Sequence, residues 1–569
     1  MLVVVGRAIW GIALVFSTSA FGQAVPDPVN RDAERIQQRE QERQRAREQE
    51  FRDAQSPPPS GAIAPVAPAE TKEAGACVVI QTVNINGMER YARTVFDKEL
   101  SSLIGDCIAV GDINNALRVI TNRYVADGYV TSRAVVGPQD LTDGSLDITV
   151  FEGQVGDVIS KPNGYGQGML NMAFPGLKGK QLNLRDIEQG VDQLSRLAYA
   201  EPDIDIAPSD LPGASVIQVK QNNSGLRFRP GVLINNDGSQ TTGRLQSTAT
   251  LDLDSPFGRA DYWSLYYSRD LQNDPFAGTR GFGGFVSIPY GYWTATFSGG
   301  HYKYKSVLSG NGQSFSNNGR SWNGSAALDR LLYRDAKTKI AVSVNLGLVD
   351  TENRIQGIRL STSSYRQATV AIDWRVQRRV KEGLVSATVG FTRGLKILGA
   401  NAVDTGPGGA SIKFRKIDAS ISYQSRLAVF GVPLNYIGLL RGQTALDPIF
   451  PAQRFSLGGS STVRGFRDDG ISGRNGFFTR QQISFPLLNL FTKSKVATGV
   501  SGFIGYDAGG IIATGPDRFE RGFLHSSTIG LRTQNKYLQF EMGASTPLSA
   551  PSFIKRSKVE VAASLRVGF

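Results

Sequence analysis

The distribution of apolar positions divides the chain into two regimes. From about residue 225 to 569, apolar residues recur at every second position, stop at turn residues, and resume. In 558–569, Val559, Val561, Ala563, Leu565, Val567 and Phe569 share one face, while Lys558, Glu560, Ser564 and Arg566 share the other. In 368–377, Ala368, Val370, Ile372, Trp374 and Val376 oppose Thr369, Asp373, Arg375 and Gln377. A strand sends successive side chains to opposite faces, so each segment has one apolar and one polar wall. Roughly sixteen such segments, an even number, predict a 16-stranded antiparallel transmembrane β-barrel with a wet lumen. Tyr266, Tyr290, Tyr292, Trp293 and Tyr302 are assigned to its interfacial aromatic girdles. A secreted β-sandwich or solenoid is the rival. Alternation sustained to an aromatic last residue argues against it.

Before residue 225 the period is helical. In 77–153, Val78, Ile80, Val83 and Ile85 mark a strand region, and Tyr91, Val95, Phe96, Leu100 and Leu103 a helix. Ile113, Ala116, Leu117, Ile120 and Tyr124 mark a second helix by their i, i+3, i+4, i+7 spacing. Short strands follow at 130–136 and 145–151. Residues 154–222 repeat the plan, with a strand at 155–160 and a helix at 167–174 that Pro175 and Gly176 break. Asn183 is placed to cap a helix bearing Leu184, Ile187, Val191, Leu194 and Leu197. Strands near Ile204 and Val216 complete it. Two β-α-α-β-β units in tandem form an internal repeat.

Residues 25–55 also favour helix, but from Arg31 onward their apolar residues are few: Ala33, Ile36, Ala46 and Phe51. Opposite charges recur three or four apart, as in Asp32/Arg35, Glu40/Arg43, Arg47/Glu50 and Glu48/Arg52. Such a helix has no face to bury in a core, so it is either solvated or set in a polar, water-filled space. Residues 56–76, rich in Pro and Ala, read as an extended, semi-rigid linker.

Composition narrows the setting. Arg7, the apolar run 8–16 and the small residues after it predict a signal peptide over 1–24, cleaved after Ala20 or Ala24. Export lets the two cysteines, Cys77 and Cys107, form a disulfide. Zinc would need more ligands, and His301 and His525 lie far off in sequence. For an exported chain a net charge of +13 points to anionic lipid head groups or a charged pore rather than nucleic acid. No phosphate-binding P-loop, nucleophile elbow or His-containing triad occurs, and Gly281-Phe282-Gly283-Gly284 lies amid strands. No catalytic, metal-ligating or cofactor-binding residue is therefore assigned.

One stretch stands out, 454–470 (RFSLGGSSTVRGFRDDG), with Arg464 on a glycine-rich bend. The strand at 496–510 carries Ala497, Gly499, Ser501, Phe503, Gly505, Asp507 and Gly509 on one face. A mostly small-residue face bearing one acid leaves room for Arg464 to lie against it and pair with Asp507. An ordinary hairpin loop and an ordinary strand fit the spacing equally.

Taken together these stretches resemble the transporter component of two-partner (type Vb) secretion, the haemolysin-activation/secretion family of POTRA-bearing outer-membrane barrels. Residues 128–153 (GYVTSRAVVGPQDLTDGSLDITVFEG) are similar to that family's first POTRA domain, and 173–197 (AFPGLKGKQLNLRDIEQGVDQLSRL) to its second. The VRGF at 463–466 resembles the tip of loop six, which folds back into the barrel, and GYDAG at 505–509 the strand motif whose acid partners that arginine. Gly505 stands where the motif usually has an aromatic residue, with Phe503 nearby.

The resemblance implies a plug helix over 25–55, a linker over 56–76, periplasmic POTRA domains over 77–153 and 154–222, and an outer-membrane barrel over 223–569 with loop 454–475 folded inward. Arg464, Gly465, Phe466 and Asp507 would lock that loop. Phe569 resembles the signal read by the barrel-assembly machinery. Implied partners are that machinery, outer-membrane lipid, and a β-helical secreted protein of adhesin, haemolysin or haem/iron-acquisition type. The implied function is ATP-independent export of that partner. The alternative is a barrel-assembly factor, which usually has more POTRA units and no polar plug.

Overall fold

The computed structural model describes residues 77–569 except 163, 200, 223–224, 273, 311–312, 362, 402–408, 489–498, 513–519, 536 and 569. The signal-peptide, plug and linker assignments and the terminal Phe569 lie outside the described residues.

The first unit holds β1 (Val78–Val79), β2 (Thr82–Asn86), α1 (Asp97–Ser101), β3 (Cys107–Ile108), α2 (Val110–Ala126), β4 (Arg133–Val135) and β5 (Ser145–Phe151). The main sheet has order β2-β5-β4, with β2 and β5 parallel. Ala116, Ile120 and Tyr124 of α2 are buried against Leu146, Ile148 and Val150 of β5. Asp112 caps α2 by accepting from the Ala109 N–H at 3.0 Å. Two sequence expectations are corrected here. The first helix is a 3-10 turn at Arg93–Phe96 followed by the single turn α1, because Phe96 turns out of helical geometry at φ −118° to bury its ring. The strand expected at 130–136 shrinks to β4, since 130–132 form a turn after α2.

Cys77 and Cys107 are disulfide-bonded, closing a separation of 30 residues between β1 and β3. A loop of that length corresponds to roughly 3–4 kcal/mol in the chain-entropy model. Cys77→Ser is therefore expected to lower amide-exchange protection of β2 and β5 by about that amount, read by hydrogen exchange on the full chain. Unchanged protection would show that the bridge does not stabilise this unit.

The second unit holds β6 (Gln154–Ser160), α3 (Gln167–Ala173), α4 (Leu184–Ser195), β7 (Pro202–Pro208) and β8 (Ala214–Gln221), with sheet order β6-β8-β7. Asn183 caps α4, its side chain accepting from the Arg185 N–H at 2.8 Å. The core of this unit takes in Tyr262 of the C-terminal sheet and Ala260 of the turn before it, so the two are packed as one body at that edge.

The C-terminal sheet is a closed antiparallel barrel of sixteen long strands, from Phe228–Asn235 to Glu560–Gly568, plus the two-residue Ile358–Arg359. It closes where Ser564–Gly568 pairs with Gly231–Asn235. The strands are unequal, with 8 and 9 residues at the closure but 22 in Gln313–Arg334. At ~3.3 Å per residue, 22 residues reach roughly 70 Å, far beyond the ~25 Å apolar band even when tilted. The surplus stands above the membrane on the side of the long loops. Short turns lie at the opposite end, beside the second unit.

Exposed Leu265, Phe297, Trp322, Leu346, Ile372 and Trp374 lie on the outer wall. Tyr302 and Tyr304 are buried on the inner one. This corrects the girdle assignment for Tyr302 and Tyr266. Both fall on the inner parity of their strands, and it is their neighbours His301 and Tyr267 that face outward. Tyr290 and Trp293 are exposed at the short-turn end, whereas Tyr292, in the turn between them, donates to Asp186 of the second unit at 2.6 Å.

Candidate functional site

Between strands Val432–Ala445 and Asn475–Leu488 the chain turns back into the barrel. The returning loop carries a two-strand ribbon, Phe455–Leu457 paired with Ile471–Gly473, and the tip lies beyond it. Phe455, Leu457, Val463, Phe466 and Ile471 bury against Phe478, Ile511 and Leu524 of the wall and Ile554 of the loop between the last two strands. An apolar underside thus holds the loop to the wall, and polar contacts fix its register.

At the tip, Arg464 meets Asp507, which is wholly buried on strand Val500–Ile512. Nε approaches Oδ2 at 2.6 Å, Nη2 approaches Oδ1 at 2.8 Å, and the Arg464 backbone N–H adds a third donor at 3.1 Å. The bidentate fork suits a planar carboxylate. Nη1 donates to Gln482 at 3.0 Å. A second cation, Arg480, comes within 3.5 Å of Asp507 Oδ1 and donates to the carbonyls of Ser460 and Thr462 at 2.6 and 2.9 Å. Asp507 is thus the shared anion of two guanidinium groups.

Gly505 faces the same space. A Cβ there would stand 2.2 Å from Arg464 Nη2, so any side chain would displace the fork. Phe503, two residues earlier, is buried beneath Arg532. Gly505→Val is accordingly expected to weaken the lock less than loss of Arg464 itself, because the guanidinium can swing aside while keeping one bond. Protease sensitivity of 454–475, intermediate between wild type and Arg464→Ala, is the check. Gly465 adopts φ +87°, a left-handed conformation that residues with a side chain rarely take, and a Cβ there would touch the Pro547 ring at 3.4 Å. Phe466 is buried in the apolar underside.

Sequence reasoning missed the rest of the clamp. The Arg467 N–H donates to Glu560 at 3.0 Å, and its Nη2 to the Val561 carbonyl at 2.7 Å. Asp468 pairs with Arg244 at 2.9 Å and Arg454 with Glu520 at 2.8 Å. The inner-face parity of Arg480, Gln482 and Glu560 was readable; which loop atom each meets was not.

A second polar contact joins the second unit to the short-turn rim. Arg334, almost fully buried, reaches Glu188 at 3.0 Å and also Asp192, and Lys339 reaches the same Asp192. Gln189 and Gln193 donate to the Gly291 carbonyl at 3.1 and 2.7 Å. Arg196 donates to Ser287. Burial pulls the Arg196 guanidinium down to about 10, so it keeps its charge at neutral pH. Helix α4 is thus docked on the short-turn rim, over the turns at 291–292 and 335–337.

A closed barrel with a lumen-folded loop and two small α+β units, the second docked on its short-turn rim, is the architecture of a POTRA-bearing outer-membrane barrel. The haemolysin secretion/activation model ShlB/FhaC/HecB matches residues 213–533, and the chain belongs to that family. A ShlB-type POTRA model matches 78–153 and a further POTRA model 154–208. The chain is 28% identical to the outer membrane transporter CdiB of Escherichia coli, over 98% of this chain and 92% of that one. It is 29% identical to the hemolysin transporter protein ShlB of Serratia marcescens, over 85% of each. The solved CdiB from Escherichia coli superposes with a TM-score of 0.86, covering 96% of this chain and all of that one. The protein is a two-partner secretion translocator of the outer membrane with periplasmic POTRA domains, rather than a barrel-assembly factor.

Proposed function

We propose that the POTRA units capture an unfolded exported protein and that the barrel passes it outward as a passive conduit, without catalysis and without ATP. The observation that carries this reading is the loop 454–475 clamped across the lumen at Asp507, with α4 docked at the entrance. The strands β2 and β4, and β6 and β7, are sheet edges to which an extended segment can add by main-chain hydrogen bonds. Residues 25–55 serve as a plug that leaves before the partner enters, and 56–76 as its tether. Arg464, Gly465, Phe466 and Asp507 lock the loop in the resting barrel. The partner is a β-helical adhesin, haemolysin or haem-acquisition protein. Its folding at the surface biases the direction of passage. Phe569 is the signal for assembly into the membrane.

Mixing the purified full chain with an amino-terminal fragment of a candidate exported protein, held unfolded in dilute urea, tests capture. Saturable binding that a β7-edge variant (Ile204→Pro) weakens is expected. Equal binding by a barrel precursor would contradict the reading. Deleting 31–55 is expected to raise single-channel conductance in planar bilayers, and identical conductance would remove the plug from the pore.

A further inference from the structure

On the outer wall, near its long-loop end, four basic residues stand side by side across four strands. The register sets Arg269 opposite Arg280, Arg280 opposite Lys303, and Lys303 opposite Arg320. All four are exposed and share the parity of the outward Leu265, Phe282, Phe297 and Trp322. Like charges directly opposite each other destabilise a sheet, and here three such pairs follow in succession. One acid, Glu352, ends the row, but it is already held by Arg320 and Arg354. Among the described residues, Arg280, Lys303 and the neighbouring Lys305 have no acidic partner. They line a cleft of about 630 Å³. Asp270 and Asp274 also border it, and each already accepts a backbone N–H, from Thr279 and Phe276 at 2.7 and 2.8 Å.

One rung below, about 7 Å toward the membrane centre at the usual strand rise, runs an aromatic row. Tyr267, Phe282, His301 and Trp322 are consecutive cross-strand partners, with His301 stacked on Trp322 at 3.9 Å. The next rung down is Gly284, Gly299 and Gly324, between Leu265 and Leu348. A Cβ added at Gly299 or Gly324 would meet nothing nearer than 3.7 Å, so the wall has a shallow notch there. Cations, then interfacial aromatics, then an apolar notch reproduce the layers of a lipid: anionic head group, interface, acyl chain.

We propose that this wall holds one phosphorylated, acylated lipid of the outer leaflet, with its phosphate on Arg280, Lys303 and Lys305 and an acyl chain over Gly299 and Gly324. Guanidinium and ammonium groups are the side chains that bind phosphate oxygens. The site faces away from the lumen, so a passing chain does not reach it. The inference rests on the outer-membrane orientation and not on the partner or the plug.

The test is native mass spectrometry of the full chain in zwitterionic micelles. The probes are a bis-phosphorylated acylated glucosamine disaccharide, its dephosphorylated counterpart, and inorganic phosphate as competitor. One tight adduct of the phosphorylated lipid is expected. Arg280→Ser with Lys303→Ser should weaken it about tenfold or more, given the typical contribution of each basic residue near an anionic head group. Arg393→Ser, on the same outer wall of strand Gly383–Leu395, should leave it unchanged. Heat-dependent gel mobility confirms that each barrel is folded, and Lys303→Ser alone serves if the double variant is not. Equal binding of the dephosphorylated lipid, no loss in the variants, or full displacement by millimolar inorganic phosphate would each overturn the proposal. Partner export, measured on the same variants, is a separate readout. Lost lipid binding with intact export leaves the secretion reading standing.

Discussion

Asp507→Asn is expected to stop export almost completely while the barrel still assembles, and to do more harm than Arg464→Ala. The order follows from the shared anion. Neutralising Asp507 takes from Arg464 and Arg480 the buried carboxylate they share. Removing Arg464 leaves Asp507 with Arg480 still 3.5 Å away. Breaking a buried pair by deleting one partner typically costs about 3–5 kcal/mol, because the survivor stays desolvated. That is enough to turn an almost fully docked loop into a largely displaced one. Secreted partner should fall at least about tenfold in Asp507→Asn, severalfold in Arg464→Ala, and less than additively in the double variant. Secreted partner in the medium, with trypsin cleavage within 454–475, gives both readouts. Full export by Asp507→Asn would show that the lock is incidental.

Neutralising the rim acids is expected to have the second largest effect. Glu188→Gln with Asp192→Asn removes the carboxylates that meet Arg334, whose side chain is 1% exposed, and Lys339, at 8%. The POTRA unit should then swing from the mouth. A spin-label pair at positions 209 and 381 should change from one narrow distance to a broad distribution, with export severalfold lower. Adding Arg334→Met and Lys339→Met removes the buried cations as well and should restore much of the docking, since a buried ion pair is often replaceable by apolar residues. If the distance distribution is unchanged in the first variant, α4 is held by its apolar core and amide hydrogen bonds alone.

The barrel was legible because a period of two is written in every strand and is reinforced sixteen times. The helices α2 and α4 were legible for the same kind of reason. The girdle misassignment shows where the pattern stops. Tyr266 and Tyr267 differ by one residue, and composition does not say which faces the lipid until a neighbouring apolar residue fixes the parity. The clamp was half legible. An acid on a small-residue face suggested Asp507, but Arg480 and Gln482 belong to another strand, and no local spacing says which of its inner side chains meets the loop tip. The rim contacts were invisible for a simpler reason: Arg334 and Gln189 are 145 residues apart, and only the fold brings them together. Gly505 looked like a departure from a motif. It is the space that the Arg464 guanidinium occupies.

The central claim is that the exported protein travels through the lumen of this barrel. A photo-crosslinking residue placed at position 375, on the inner face, or at 374, where Trp374 is exposed on the outer wall, tests it directly in cells stalled during export. The expected result is capture of the partner from position 375 and none from 374. Capture from 374 alone, or from neither while export proceeds, would contradict passage through the barrel.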